Sequence, residues 1–310
     1  MTNQIMSSKK IFAAGVVLLI ILNLLTFVSA YPESQTLTPG INSSGSILAK
    51  DFSAYYMGAW RLWNNPAHIY SLGSLKDGEP TILPYPEAYK YLPSFLILVS
   101  PLLALNYQNA LLAFNVIQLM LLPLMAYFVY LLLGKKGLML TFAVMVIVLL
   151  SPFPAPNWGF SLSYYWQWGE GQAKVVETFL LLLSFYFGFK QKPFLSGIVL
   201  AFGFFDPRFG LLALPLFVMY NWKHLKVSSV SFLVSLMLSN SMLAFTGAGS
   251  SFLRMVSSQA LSTPLYYYSL IPFFTLLSLI AVNYKELIVV FGDLGSQVKF
   301  FIGEKLEASK

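Results

Sequence analysis

What this chain can fold into is limited first by nine apolar runs that occupy nearly half of its 310 residues. They cover Ile11–Ala30, Tyr91–Leu105, Ala110–Leu133, Leu138–Pro152, Val175–Phe189, Phe194–Phe205, Phe209–Tyr220, Val227–Phe245 and Leu265–Val282. Only 10% of the residues are charged and 57% are hydrophobic, whereas an ordinary water-soluble domain carries about a quarter charged residues. A membrane helix needs roughly 20 apolar residues to cross about 30 Å. The runs therefore predict an all-α, polytopic membrane protein of about eight or nine transmembrane helices, several short enough to be half-crossings.

Lysines mark the connections: Lys135-Lys136, Lys190 and Lys192, Lys223 and Lys226, and Lys285. Cytoplasmic loops carry the excess of Lys and Arg. That rule predicts a multi-pass protein of the cell membrane with a cytoplasmic N-terminus. It puts the loops 31–90, 153–174, 206–208 and 247–264 on the outer face. Tyr91–Leu105, with Pro93 and Pro101, either crosses or dips in and returns. Val28-Ser29-Ala30 fits a signal-peptidase site, although the run before it is long enough to span. Residues 1–283 then form one transmembrane domain with 31–90 as a large outer loop, and 284–310 a cytoplasmic amphipathic, charged tail. The Asn42-Ser43-Ser44 sequon suits an outer loop.

Some chemistries drop out. The net charge of +7 is dispersed and includes only three arginines, so nucleic acid has no basic patch to rest on. Cysteine is absent, which excludes disulfides and thiolate metal sites. The two histidines, His68 and His224, are far apart.

The polar residues within this apolar chain are the candidate site. Asp51 opens a segment in which Phe52, Tyr55, Tyr56, Ala59 and Trp63 share a helical face, as in a helix lying on the outer membrane surface. Asp51 either caps that helix or serves as a general base. His68 is a second polar group nearby or an ordinary surface histidine. Lys90, at the head of a short helix, faces an anionic group or snorkels. In the next outer loop Tyr164, Trp166 and Trp168 alternate with Glu170 and Gln172. This combination of flat apolar faces and hydrogen-bonding edges suits a sugar, and an interfacial aromatic belt is the alternative. Glu177, inside an apolar run, is expected to face the interior or pair with Lys174 one turn earlier. Asp206-Pro207-Arg208 interrupts about 28 apolar residues and predicts a broken helical hairpin. Arg208 suits a phosphate, or pairs with Asp206. Arg254 is a second phosphate contact or a solvated loop arginine.

The outer Asp51-Phe52-Ser53-Ala54-Tyr55-Tyr56 segment, Pro66-Ala67-His68-Ile69-Tyr70, Tyr91-Leu92-Pro93-Ser94-Phe95, Gly171-Gln172 and the two-helix unit at Pro207 form a pattern. Over roughly residues 10–225 it resembles the polyprenyl-phosphate-dependent glycosyltransferases of the membrane-embedded C-type superfamily. The mannosyltransferase-like branch of archaea and bacteria is the nearest in pattern. The resemblance implies outer-face juxtamembrane helices and transfer of a hexose, such as mannose, from a polyprenyl-phosphate donor to a lipid-linked sugar or glycan hydroxyl. Asp51 would be the catalytic base. Arg208, Lys90 and Arg254 would hold the donor phosphate. His68, Tyr164, Trp166, Trp168, Glu170 and Gln172 would hold sugar or acceptor, and Tyr55, Tyr56, Glu177 and Asp206 would support the site. The pattern fixes no cofactor and leaves metal need open: Asp51 with Glu170 could recruit a divalent cation. Family members often carry a lysine directly before the proline of the two-helix unit; here Asp206 takes that place. The rivals are a non-catalytic subunit of a membrane complex retaining this fold, bound to a protein partner, and a small lipid or solute transporter.

Overall fold

The computed structural model describes residues 50–71, 79, 89–134, 152–155, 159–162, 171–255 and 270–308. Regular structure among them is helical apart from one antiparallel ribbon, β1 (Pro152–Ala155) and β2 (Gly159–Leu162). The first half supplies α1 (Lys50–Asn64), α2 (Ser94–Val99) running into a 3₁₀ turn at Ser100–Ala104, and α3 (Tyr107–Leu133). The second half supplies α4 (Lys174–Phe189), α5 (Pro193–Gly203), α6 (Pro207–Asn221) and α7 (Leu225–Ser239). Short helices α8 (Met242–Phe245) and α9 (Ala248–Met255) follow, then α10 (Leu270–Val282) and α11 (Tyr284–Ala308).

Local chemistry accounts for the boundaries. The Asn106 side chain accepts from the Asn109 amide at the start of α3, and Gly134, at φ +62°, ends that helix. Both are standard helix-terminus solutions. Asp51 in the first turn of α1 and Arg61 in the last complement the helix dipole. Pro193 and Pro207 each stand in the first turn of a helix, where the missing N–H costs nothing.

Helix α5 lies between α4 and α7, and small residues let it approach both. Ser184 and Ser196 exchange hydrogen bonds, each hydroxyl donating to the other residue's carbonyl at 2.8 and 2.9 Å. A Cβ added to Gly197 would overlap the Ser231 hydroxyl and the Ser228 carbonyl of α7. Among the described residues the apolar interior has two parts. One gathers Phe52, Tyr55, Tyr89, Phe95, Phe114 and Phe205 around α1. The other gathers Leu181, Phe185, Leu200, Phe209, Leu216 and Leu279 from α4, α5, α6 and α10.

The helical expectation stands, but eight or nine crossings do not. Among the described residues one helix, Tyr107–Leu133, is long and apolar enough to cross a membrane. A second qualifies only if Ile271–Val282 and Tyr284–Ser296, bent by 76°, count as one span. The reason is geometric. At about 1.5 Å per residue, the 11 residues of α5 reach about 16 Å and the 15 of α6 or α7 about 22 Å. Apolar composition ran on where the backbone turned. The expected span Ile11–Ala30 and all but the last residue of Leu138–Pro152 lie outside the described residues, as do Asn42 and the proposed cleavage site. The multi-pass placement, with a cytoplasmic N-terminus and an outer-face site, rested on those crossings and falls with them. Nor is α1 a helix lying on a membrane surface. Its aromatic face is core, with Phe52 and Ala59 at 0% exposure and Tyr55 at 2%, except for Trp63 at its end, which is 64% exposed.

Candidate functional site: a buried ion cluster

Four charged side chains meet where α4 and α6 begin. Lys174 Nζ lies 3.1 Å from Glu177 Oε2 and 2.8 Å from Asp206 Oδ2. Asp206 in turn holds Arg208 at two points, Nε to Oδ1 at 2.9 Å and Nη2 to Oδ2 at 2.7 Å. The local sequence builds this directly. Lys174 and Glu177 are one turn apart on α4, the spacing at which helical side chains meet. Asp206 is the N-cap of α6, accepting also from the Arg208 amide, so its carboxylate points into the gap between the helix starts.

Aromatic rings enclose the cluster. Lys174 Nζ stands 4.8 Å from the Tyr91 ring centre and 5.0 Å from that of Phe209, within range of a cation–π attraction. Tyr91 packs edge-on against Phe205, and Tyr55 lies beside Tyr91. The segment carrying Tyr91 is pinned by three hydrogen bonds. Leu92 N donates to the Phe205 carbonyl at 2.9 Å, Tyr70 donates to the Tyr91 carbonyl at 2.9 Å, and Tyr89 donates to the Leu92 carbonyl at 2.7 Å.

Burial is nearly complete on one side and relieved on the other. The side chains of Lys174, Glu177 and Asp206 are exposed by 3%, 0% and 1%, and that of Arg208 by 29%. Burying charges is costly, and removing one partner of such a pair costs about 3–5 kcal/mol. The carboxylates respond in opposite directions. Burial pushes the Glu177 carboxyl up to about 8, against the opposing pull of Lys174. Burial also works against the Asp206 carboxylate, but Lys174 and Arg208 together hold it well below the usual range. Lys174 sits nearer to Asp206 than to Glu177, which leaves Glu177 the weaker claim on that cation. Near neutral pH the cluster therefore holds two cations against one carboxylate.

The expected site residues fall into three groups. Glu177, Asp206 and Arg208 meet in the cluster, and Tyr55 borders it. The pKa of both Tyr55 and Tyr91 is raised by burial first and then by neighbouring charges, among them that of Asp51, half-buried at the start of α1. Asp51 thus belongs to the same neighbourhood. The second group is not among the four charged side chains of the cluster. Tyr56 donates to the Leu105 carbonyl at 2.8 Å, and His68 Nδ1 is 3.2 Å from Ser71 Oγ. Lys90 is exposed ahead of α2, Gln172 is half-buried just before α4, and Arg254 is exposed on α9. The third group, Tyr164, Trp166, Trp168 and Glu170, lies outside the described residues. So does the cation expected between Asp51 and Glu170. Sequence reasoning missed Lys174 as the hub, although its position one turn before Glu177 signalled it. Arg61 was missed too: buried in α1, it binds Glu79 at two points, each 3.0 Å, and the Ser71 carbonyl at 2.7 Å.

No family model, curated protein or solved structure matches the chain. The resemblance to membrane-embedded C-type glycosyltransferases is therefore not upheld, since it rested on short, degenerate segments and on a membrane architecture that is not found among the described residues. Hexose transfer, the mannosyltransferase assignment, the polyprenyl-phosphate donor, the lipid-linked or glycan acceptor and the membrane-lipid partners go with it. The subunit and transporter readings, with the protein partner of the former, presupposed the same architecture and lose their basis as well.

Proposed function

We propose that the chain is a binding protein for a small oxyanion, a phosphate or a carboxylate, received at Arg208 where the ion cluster opens. The observation that carries this reading is the asymmetry of burial in the cluster. Three of its charged side chains are sealed and the fourth, an arginine, reaches the surface. Asp206 takes two of the five guanidinium N–H groups and fixes the plane of the rest. A guanidinium held in this way suits a planar or tetrahedral oxyanion, which can accept two hydrogen bonds at once. With Glu177 protonated, Lys174 and Asp206 balance each other, so the cluster as a whole carries the one positive charge of Arg208, which favours an anion at its mouth. Asp51, on the Tyr55–Tyr91 side, would accept a hydrogen bond from a hydroxyl of the same ligand.

Thermal unfolding in millimolar inorganic phosphate or acetate tests this. Low concentrations matter, because phosphate at high concentration stabilises proteins by exclusion from their surface. We expect a saturable rise in Tm for the wild type, following ligand linkage. Arg208→Gln should lose it and Arg208→Lys retain part. An equal rise in wild type and Arg208→Gln, or none in the wild type, would refute the reading.

A further inference from the structure

A concave site lies at the other end of α4 and α6, away from the ion cluster. It is a pocket of about 400 Å³ between the α4–α5 turn, the end of α6 and the elbow joining α10 to α11. That volume is within the usual size for small-molecule sites, roughly 300–1,000 Å³. Its apolar lining includes Phe189, Met219 and Trp222. On its polar side stand Lys223 and His224, both exposed.

Asn221, on the inner wall, is only 3% exposed. Its Nδ2 is fully used, donating to Ser196 Oγ at 2.9 Å and to the Phe217 carbonyl at 3.0 Å. Those two bonds fix the orientation of the amide, and its Oδ1 receives no hydrogen bond. A buried acceptor without a donor costs about 1–3 kcal/mol; Oδ1 is sealed from solvent in the free protein, so a ligand N–H or O–H that reaches it through a small shift of the pocket wall recovers stabilisation the free protein lacks. The amide reaches this position because Gly188 leaves room for it. A Cβ there would come within 2.6 Å of Asn221 Nδ2. The charge at this end is also one-sided: exposed Lys190, Lys192, Lys226 and Lys285 flank the lining residues, against Glu286 within it.

We propose that this pocket binds a small organic acid with an apolar, preferably aromatic, body and one N–H or O–H donor. The body would lie on Phe189, Met219 and Trp222, the donor on Asn221 Oδ1, and the carboxylate by Lys223 and His224. The site is independent of the Arg208 cluster.

Three probes separate these contributions when titrated calorimetrically into the full chain. Indole-3-acetate carries the body, the N–H and the carboxylate; 1-naphthaleneacetate lacks the N–H, and 3-methylindole lacks the carboxylate. Indole-3-acetate should bind tightest, with each of the others weaker by roughly tenfold, the equivalent of about one hydrogen bond. The surface double variant Lys223→Gln/His224→Gln should weaken indole-3-acetate by a similar factor and leave 3-methylindole unchanged. Val290→Trp, which narrows the pocket from α11, should abolish all three, with circular dichroism confirming an intact fold. Absence of binding by any probe, equal affinity for the three, or indifference of indole-3-acetate to the double variant would each overturn the proposal.

Discussion

Glu177 occupies the first turn of α4 with Oε2 on Lys174 and Oε1 without a donor. Its carboxyl, at about 8 in the fold against 4.5 ordinarily, keeps a proton that the unfolded chain has released. Stability from this group is fully present below about pH 4.5 and is lost as pH rises through about 8. Asp206 works in the other direction: its depressed pKa gives stability present above the ordinary 3.8 and lost on further acidification. Glu177→Gln should therefore flatten the decline in stability between about pH 5 and 8 and leave the acid limb unchanged. Urea midpoints at pH 5, 7 and 8.5 for both proteins check this, and parallel curves would exclude the role given to Glu177. At this scale the sequence was partly legible. Glu177 with Lys174 and Asp206 with Arg208 follow from local spacing. The bond from Lys174 to Asp206 joins residues on separate helices, and no local pattern announces it.

Helix α5 shows what a single missing Cβ does for an element. Gly197 admits the Ser228–Ser231 turn of α7, and the Ser184–Ser196 exchange locks the opposite side to α4. Gly197→Ala should force the two helices apart and cost about 1–3 kcal/mol, the usual penalty for overpacking. Gly292→Ala, which meets open space on α11, should be neutral or slightly stabilising through helix propensity. Chemical denaturation of both variants measures the contrast, and equal effects would remove the close approach as a determinant. Helix identity was readable from the apolar runs, but helix length was not. The break between Phe194–Phe205 and Phe209–Tyr220 was the exception, announced by Asp206-Pro207-Arg208 within the apolar stretch. The chain breaks there because Asp206 caps a new helix and Pro207 begins it.

Seen whole, the molecule has a polar knot inside and large apolar side chains outside. Phe245, Met237 and Leu238 are exposed by 85%, 72% and 70%. The expectation of many crossings came from counting apolar residues without knowing which were turned inward. Composition is silent about direction, and direction here is decided by contacts between distant segments. One of these contacts is the Leu92 amide bonded to the Phe205 carbonyl. It closes a loop of roughly 110 residues, an entropic cost that grows only slowly with length but must be met before any reward arrives. The bond cannot form until the break between α5 and α6 exists to offer its carbonyl. Leu92 therefore works as a seal on the finished assembly. In native-state hydrogen exchange its amide should open only with global unfolding, at a free energy matching that of the α4–α5 interior. Exchange at Leu92 well before those amides would mean that the two halves part company first.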